Sequence, residues 1–288
     1  MLNSTVLEVA IGLTFCYASI ALITSSIFEA LSSWLNFRAK ILFDGVADLL
    51  NAKRAKEQAD VKQEQDILNK IYNNALVHPV GSGEATDFRD YKSLPSYIEP
   101  KNFALALIQS IQQVPGQFDT LDTDISAIKN RQLRSLLQGL YVKSEGDIVQ
   151  FEEEIAHWFE AGMVRVSYVY KKWSQLLCFI IALFIAVIFN IDSVHLFKTL
   201  WLQPTIISQL SNETLNPLLA TQALGQLSVL PLGWNNAFSW GAFLDPFHLV
   251  GWLLTASASL FGAPFWFDIL NSLVRVRDSA KNARAKAS

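Results

Sequence analysis

Three long apolar runs without charge punctuate the chain. Residues 9–28 (VAIGLTFCYASIALITSSIF) lie between Glu8 and Glu29. Residues 173–191 (WSQLLCFIIALFIAVIFNI) form the second run. Residues 246–267 (PFHLVGWLLTASASLFGAPFWF) form the third, with His248 as its one titratable group. A helix of about 20 residues rises about 30 Å, the thickness of the bilayer's hydrocarbon core. The runs therefore predict three transmembrane helices. The first is an anchor over 1–31, the second ends a helix over 151–191, and the third covers 246–270. Pro264 is expected to kink or break the third. The opening MLNSTVLE has no Lys or Arg, so the first run reads as a retained anchor rather than a signal peptide.

Between the first two runs the pattern changes to a helical period. FRAKILFDGVADLLN (37–51) spaces Ile41, Val46, Leu49 and Leu50 for one face, and QEQDILNKIYNNALVHP (63–79) does the same with Ile67, Leu68, Ile71 and Leu76. The charged stretch 52–63 reads as exposed helix or solvated loop. Gly81, Gly83 and Pro95 mark 80–96 as a loop. Its Gly-Ser-Gly lacks the glycine count and the Lys-Ser/Thr ending of a phosphate loop. Pro100 at a first helical position opens a helix over 98–113, which Pro115-Gly116 ends. A further helix is expected from Asp124 to Tyr141, with Ile125, Ile128, Leu136, Leu137 and Leu140 as its stripe. The segment 152–174 has no breaker and should run straight into the second span, with Ile155, Trp158, Phe159, Met163, Val166 and Tyr170 along one side. These readings give an all-α membrane protein: three transmembrane helices with a large helical insert, 32–150, between the first and second. Residues 192–245, broken by Pro204, Pro217, Pro231 and Gly233, read as an outer loop with short helices. Residues 271–288 read as a basic, mobile tail.

Charge adds an orientation. Hydrophobic residues make up 51% of the 288 and charged residues 17%, against about 25% charged in soluble domains. The deficit is local: residues 29–172 hold 17 basic and 20 acidic residues, the density of a soluble domain. Residues 1–8 hold no Lys or Arg, 190–245 hold only Lys198, and 268–288 hold five. The membrane-proximal cations Arg38, Lys40, Lys171, Lys172, Arg275 and Arg277 all fall on one side of a path with the N-terminus outside. The positive-inside rule then places the insert and the tail in the cytoplasm. The net charge of −3 excludes a strongly basic nucleic-acid binder.

Candidate chemistry is sparse. Two cysteines, Cys16 and Cys178, cannot build a disulfide scaffold or zinc cluster, and four scattered histidines have no metal-ligand spacing. No nucleophile triad, metal motif or cofactor loop is present, so no catalytic, metal or cofactor-binding residue is assigned and no enzyme is expected. On the topology above, Glu29, Arg38, Glu160, Arg165, Lys171, Asp268, Asn271 and Arg275 gather at the cytoplasmic ends of the spans. They read as a polar collar locking the helices, since charges at membrane depth seldom stay unpaired. The hydroxyls within the spans, such as Ser19, Thr24 and Thr255, read as packing aids. Trp158, Trp173, Trp234, Trp240 and Trp266 read as interface aromatics.

Several strings then stand out: IGLTFCYASIALITSSIFEALSSWLNFRAK, SYIEPKNFALAL, HWFEAGMVRVS, NIDS, LPLGW and GAPFWFDILN. In this order they span nearly the whole chain, and together they resemble an uncharacterised family of bacterial integral membrane proteins. The resemblance implies a bacterial inner-membrane protein and no particular activity. The expected function is a membrane-anchored scaffold whose cytoplasmic helical domain recruits a protein partner at the inner leaflet. The alternative is an oligomeric pore or ion-conducting effector, a homo-oligomer because three spans enclose no wide path alone. A third reading, an intramembrane or lipid-active enzyme, would use Glu29 and Asp268 as its acid–base pair.

Overall fold

The computed structural model describes residues 2–52, 62–78, 94–114, 117–202, 233 and 245–287, and every regular element among them is a helix. Ten are described: α1 (Leu2–Trp34), α2 (Phe37–Leu49), α3 (Lys62–Tyr72), α4 (Pro100–Ile111), α5 (Leu121–Ser126), α6 (Arg131–Lys143), α7 (Ile148–Ile188), α8 (Ser193–Leu202), α9 (Pro246–Ser259) and α10 (Ala263–Ala287). Pro79, Pro115–Gly116, most of the charged stretch (53–61), most of the loop 80–96 (80–93), 203–232 and 234–244 lie outside the described residues. So do Trp234 and Trp240. The chain divides into two compact units: a span unit, Met1–Leu31 with Trp173–Ser288, and a middle unit, Ser32–Lys172.

The middle unit is an ordinary helical core. Phe103 and Phe159 stack with centroids 3.9 Å apart, and Tyr141 meets Phe151 edge-on at 5.4 Å. Ile71, Leu107, Ile125, Leu137 and Ile155 fill the space around them. α4 opens with Pro100 in its first turn, where a missing N–H costs nothing. α2 and α7 pack antiparallel, since Arg38 faces Tyr170, Gly45 faces Val166 and Gly162 faces Leu49. The two glycines set this close approach: a Cβ at Gly45 would strike the Val166 side chain, and one at Gly162 the Leu49 methyls.

Two expectations need correction here. The helix expected over 124–141 is two helices. Asn130 ends the continuity by accepting the Gln132 and Leu133 N–H groups at 3.0 Å, a side-chain N-cap that starts α6 afresh. Leu76 is not on the α3 stripe: α3 stops at Tyr72, and Leu76 is exposed in the turns that follow. Trp158, expected as an interface aromatic, is half-buried and packs one face against Phe103 at 6.3 Å.

Among the described residues two helices are long and apolar enough to cross a membrane, α1 over Thr5–Trp34 and α7, or three if α9 and α10 count as one broken span. These are the marks of a multi-pass membrane protein. Within the span unit α7 buries Ala182, Ile185 and Ala186 and leaves Leu176, Ile180, Phe184 and Ile188 exposed as an apolar stripe at four-residue spacing. Phe184 is 66% exposed. Such a stripe is stable in lipid and a liability in water.

The third run is not one straight helix. α9 and α10 meet at 96° across Leu260–Gly262. Gly262 takes a left-handed φ of +82°, and Pro264 in the first turn of α10 has no N–H to continue the ladder. The Trp266 indole N–H donates to the Ala258 carbonyl at 2.7 Å, adding to the longer bond that carbonyl accepts from the Phe261 N–H at 3.3 Å. The basic tail continues α10 as helix to Ala287, because beyond Pro264 it is rich in Ala, Lys and Arg and holds no Gly or Pro.

Candidate functional site

Two constellations stand out, one in each unit. The first is built on the α7–α8 junction of the span unit. Asn190 closes α7 in the left-handed conformation (φ 47°), and the Ile191 N–H returns to the Ala186 carbonyl at 2.7 Å. This is a Schellman-type stop with Asn in the glycine position. Asp192 then starts α8: its Oδ1 accepts the Val194 and His195 N–H groups at 2.8 and 3.0 Å. The other oxygen, Oδ2, meets His248 Nδ1 at 2.7 Å. Asp192 is 3% exposed and the imidazole 32%. The short contact holds the imidazole with Nδ1 toward the carboxylate and Nε2 turned away from it.

The surroundings fix this pair. Gly251 lies one turn along α9 from His248, and a Cβ there would collide with Asp192 Oδ1, so the carboxylate rests on bare backbone. The Trp252 indole donates to Asn190 Oδ1 at 3.1 Å, and Asn190 Nδ2 donates to the Gly233 carbonyl at 3.2 Å. A directed row of hydroxyls backs the junction. Tyr17 Oη donates to Ser193 Oγ at 3.0 Å. Ser193 must then give its proton to Thr255 Oγ1 at 2.7 Å, and Thr255 donates to the Ile191 carbonyl at 2.7 Å. α1, the α7–α8 junction and α9 are thus tied by satisfied buried polar groups. The arrangement clamps helices and presents one imidazole nitrogen. Among the described residues, no group of three or more His, Cys, Asp or Glu is placed to hold a metal ion.

Sequence reasoning missed this site. Asp192 and His248 stand 56 residues apart, and no spacing rule links them. The available signals were the Asp-Ser start of a helix just past a span and a lone histidine within an apolar run. Two of the strings that stood out in the sequence, NIDS and LPLGW, supply Asn190, Asp192, Ser193 and Gly233 to it.

The second constellation is a groove of about 270 Å³ in the middle unit, between α2, α7 and residues 96–98. Ile41, Leu42, Ile98, Met163 and Val166 give it an apolar floor. Arg38, Ser96, Tyr97, Ser167 and Tyr170 give it polar edges. The Arg38 guanidinium lies 6.0 Å from the centroid of the Tyr170 ring, within cation–π reach. Away from the groove, burial and the neighbouring Asp44 push the Tyr72 phenol well above its ordinary range.

The eight collar residues divide four and four between the units. In the middle unit Arg38, Glu160, Arg165 and Lys171 are all exposed, and only Arg38 lines the groove. In the span unit Glu29, Asp268, Asn271 and Arg275 are exposed. Arg275 donates to the Asn271 carbonyl at 3.3 Å and to Ser272 Oγ at 3.5 Å, not to Asp268. Trp173 is exposed, and Trp266 packs against Tyr17 at 4.9 Å besides its bond to Ala258. Comparison with protein families, curated proteins and solved structures finds no match to this chain.

Proposed function

We propose that the chain is a bacterial inner-membrane scaffold that holds its middle unit at the cytoplasmic face and recruits a protein partner there. The observation that carries this reading is the division of the chain. A self-contained helical core, Ser32–Lys172, is strung between the first candidate span and the uncharged stretch that begins at Trp173. The family resemblance supports the bacterial membrane, and the sidedness of Lys and Arg supports the orientation. It also favours α9 and α10 crossing together as a broken span. α9 has 14 residues, a rise of about 21 Å and too short to cross alone. A return of α10 to the basic side keeps the five tail cations with the middle unit's. On this reading the Asp192–His248 clamp is structural: it holds α9 against the α7–α8 junction. Crosslinking in native membranes followed by purification tests the proposal. A protein partner joined to exposed residues of the middle unit away from the groove, such as Val142, is expected. Recovery of neither partner nor oligomer contradicts it.

One observation favours an oligomeric pore instead. Glu8 Oε2, Ser19 Oγ and Thr24 Oγ1 on α1 are buried with no hydrogen-bond partner among the described residues, and unsatisfied polar atoms at membrane depth are costly. Membrane depolarisation on overexpression, abolished by Glu8→Ala, would support that reading. An unchanged potential would remove it.

A further inference from the structure

We propose that the groove of the middle unit seats an anionic phospholipid, with the phosphate at Arg38 and the start of an acyl chain on the apolar floor. The inference rests on the membrane reading but not on partner recruitment.

Three observations converge on this occupant. The first is the groove's own polarity. Its lining has five apolar side chains, all buried or half-buried, and one guanidinium and four hydroxyl residues, all exposed except half-buried Tyr170. Sheltered apolar groups beside exposed polar ones match the chain and headgroup of a phospholipid. The second is an available cation. Arg38 is exposed, and among the described residues it forms no salt bridge or hydrogen bond, only the ring contact with Tyr170. A guanidinium fork matches two phosphate oxygens, and an aromatic face beside it does not consume its donors. Lys171 and Lys172, the residues after Tyr170, are exposed too, which favours an anionic over a zwitterionic headgroup.

The third observation is the covalent tether to both spans. Arg38 stands four residues beyond Trp34, where α1 ends, so the chain keeps it within about 14 Å of that end. Tyr170 stands three residues before Trp173 on one continuous helix, a rise of about 4.5 Å. Both residues are therefore chained within a few residues of the ends of the candidate spans. Tyr97, 68% exposed at the edge, has the amphipathic ring that a headgroup layer favours. An opening of about 270 Å³ suits a phosphate and a short length of chain better than a folded helix of a partner.

The test uses the full chain reconstituted in phosphatidylcholine vesicles containing a trace of photoreactive phosphatidylglycerol. Irradiation is expected to label peptides containing Tyr97–Ile98 or Met163. Arg38→Gln should lower that labelling about fivefold, the factor for one cation at an anionic surface. Ile41→Trp, which fills the floor, should lower it as well, whereas Lys143→Gln should leave it unchanged. Inorganic phosphate should not displace the label, while unlabelled phosphatidylglycerol should. Labelling indifferent to Arg38→Gln would overturn the proposal. So would equal labelling by photoreactive phosphatidylcholine, displacement by inorganic phosphate, or a protein fragment crosslinked in the groove in place of lipid.

Discussion

The two ends of α7 live by opposite rules. Toward its start, Phe151, Ile155 and Phe159 are buried while Glu153, Glu160 and Arg165 face outward. Toward its end, the exposed positions are Ile180, Phe184 and Ile188, and small Ala182 and Ala186 are buried. The same contrast separates the two units. The middle unit hides aromatic rings and shows charge. The span unit shows rings and branched aliphatics, and hides Ser193, Thr255 and an aspartate locked to a histidine. What differs is the solvent each surface is built for. In water, burial of apolar area drives packing. In lipid that drive is absent, and close small-residue contacts and internal hydrogen bonds take its place.

That contrast can be broken one unit at a time, with hydrogen exchange read separately over each. The largest effect is expected from Phe159→Ala. It removes half of the Phe103 stack from a fully buried site and should cost the middle unit about 3–5 kcal/mol, with the span unit's protection unchanged. Gly251→Val should do the reverse. Its side chain occupies the place of the Asp192 carboxylate, and overpacking of this kind costs about 1–3 kcal/mol. Exchange should rise at 190–202 and along α9, and not in the middle unit. Asn130→Ala should cost the middle unit about 1 kcal/mol by uncapping α6, with the faster exchange confined to Arg131–Leu133. The last effect is absent at neutral pH and emerges only in alkali. Tyr72 is held neutral in the folded middle unit, while in the unfolded chain it ionises around its ordinary 10.0. Its contribution is therefore complete below pH 10 and declines above it by about 1.4 kcal/mol per pH unit. Tyr72→Phe should flatten that alkaline decline in the middle unit alone.

Much of the fold was legible in the sequence, because its signals are local. The periodicity of Val46, Leu50, Ile67 and Ile71 and the proline at position 100 act within a few residues of themselves, and α2, α3 and α4 followed. The break near Pro264 was legible for the same reason, although the sharp angle depends on Gly262 as well. The split at Asn130 was not, since Ala127 to Asn130 contain no Gly or Pro and one side-chain cap decides the matter. The clamp was illegible because Asp192, Gly251 and His248 become neighbours only after α8 and α9 pack. The groove was illegible in the same way: Arg38, Tyr97 and Tyr170 come from three separate segments. Their residue types were visible, but their adjacency was not.

On the proposed topology the middle unit stands in the cytoplasm while the uncharged spans cross the membrane. Alkaline phosphatase, active only outside the cytoplasm, tests this when fused after Pro100. An inactive phosphatase is expected at that position in a fusion that is stably inserted in the membrane. An active enzyme there would place Ser32–Lys172 on the outer side and contradict it.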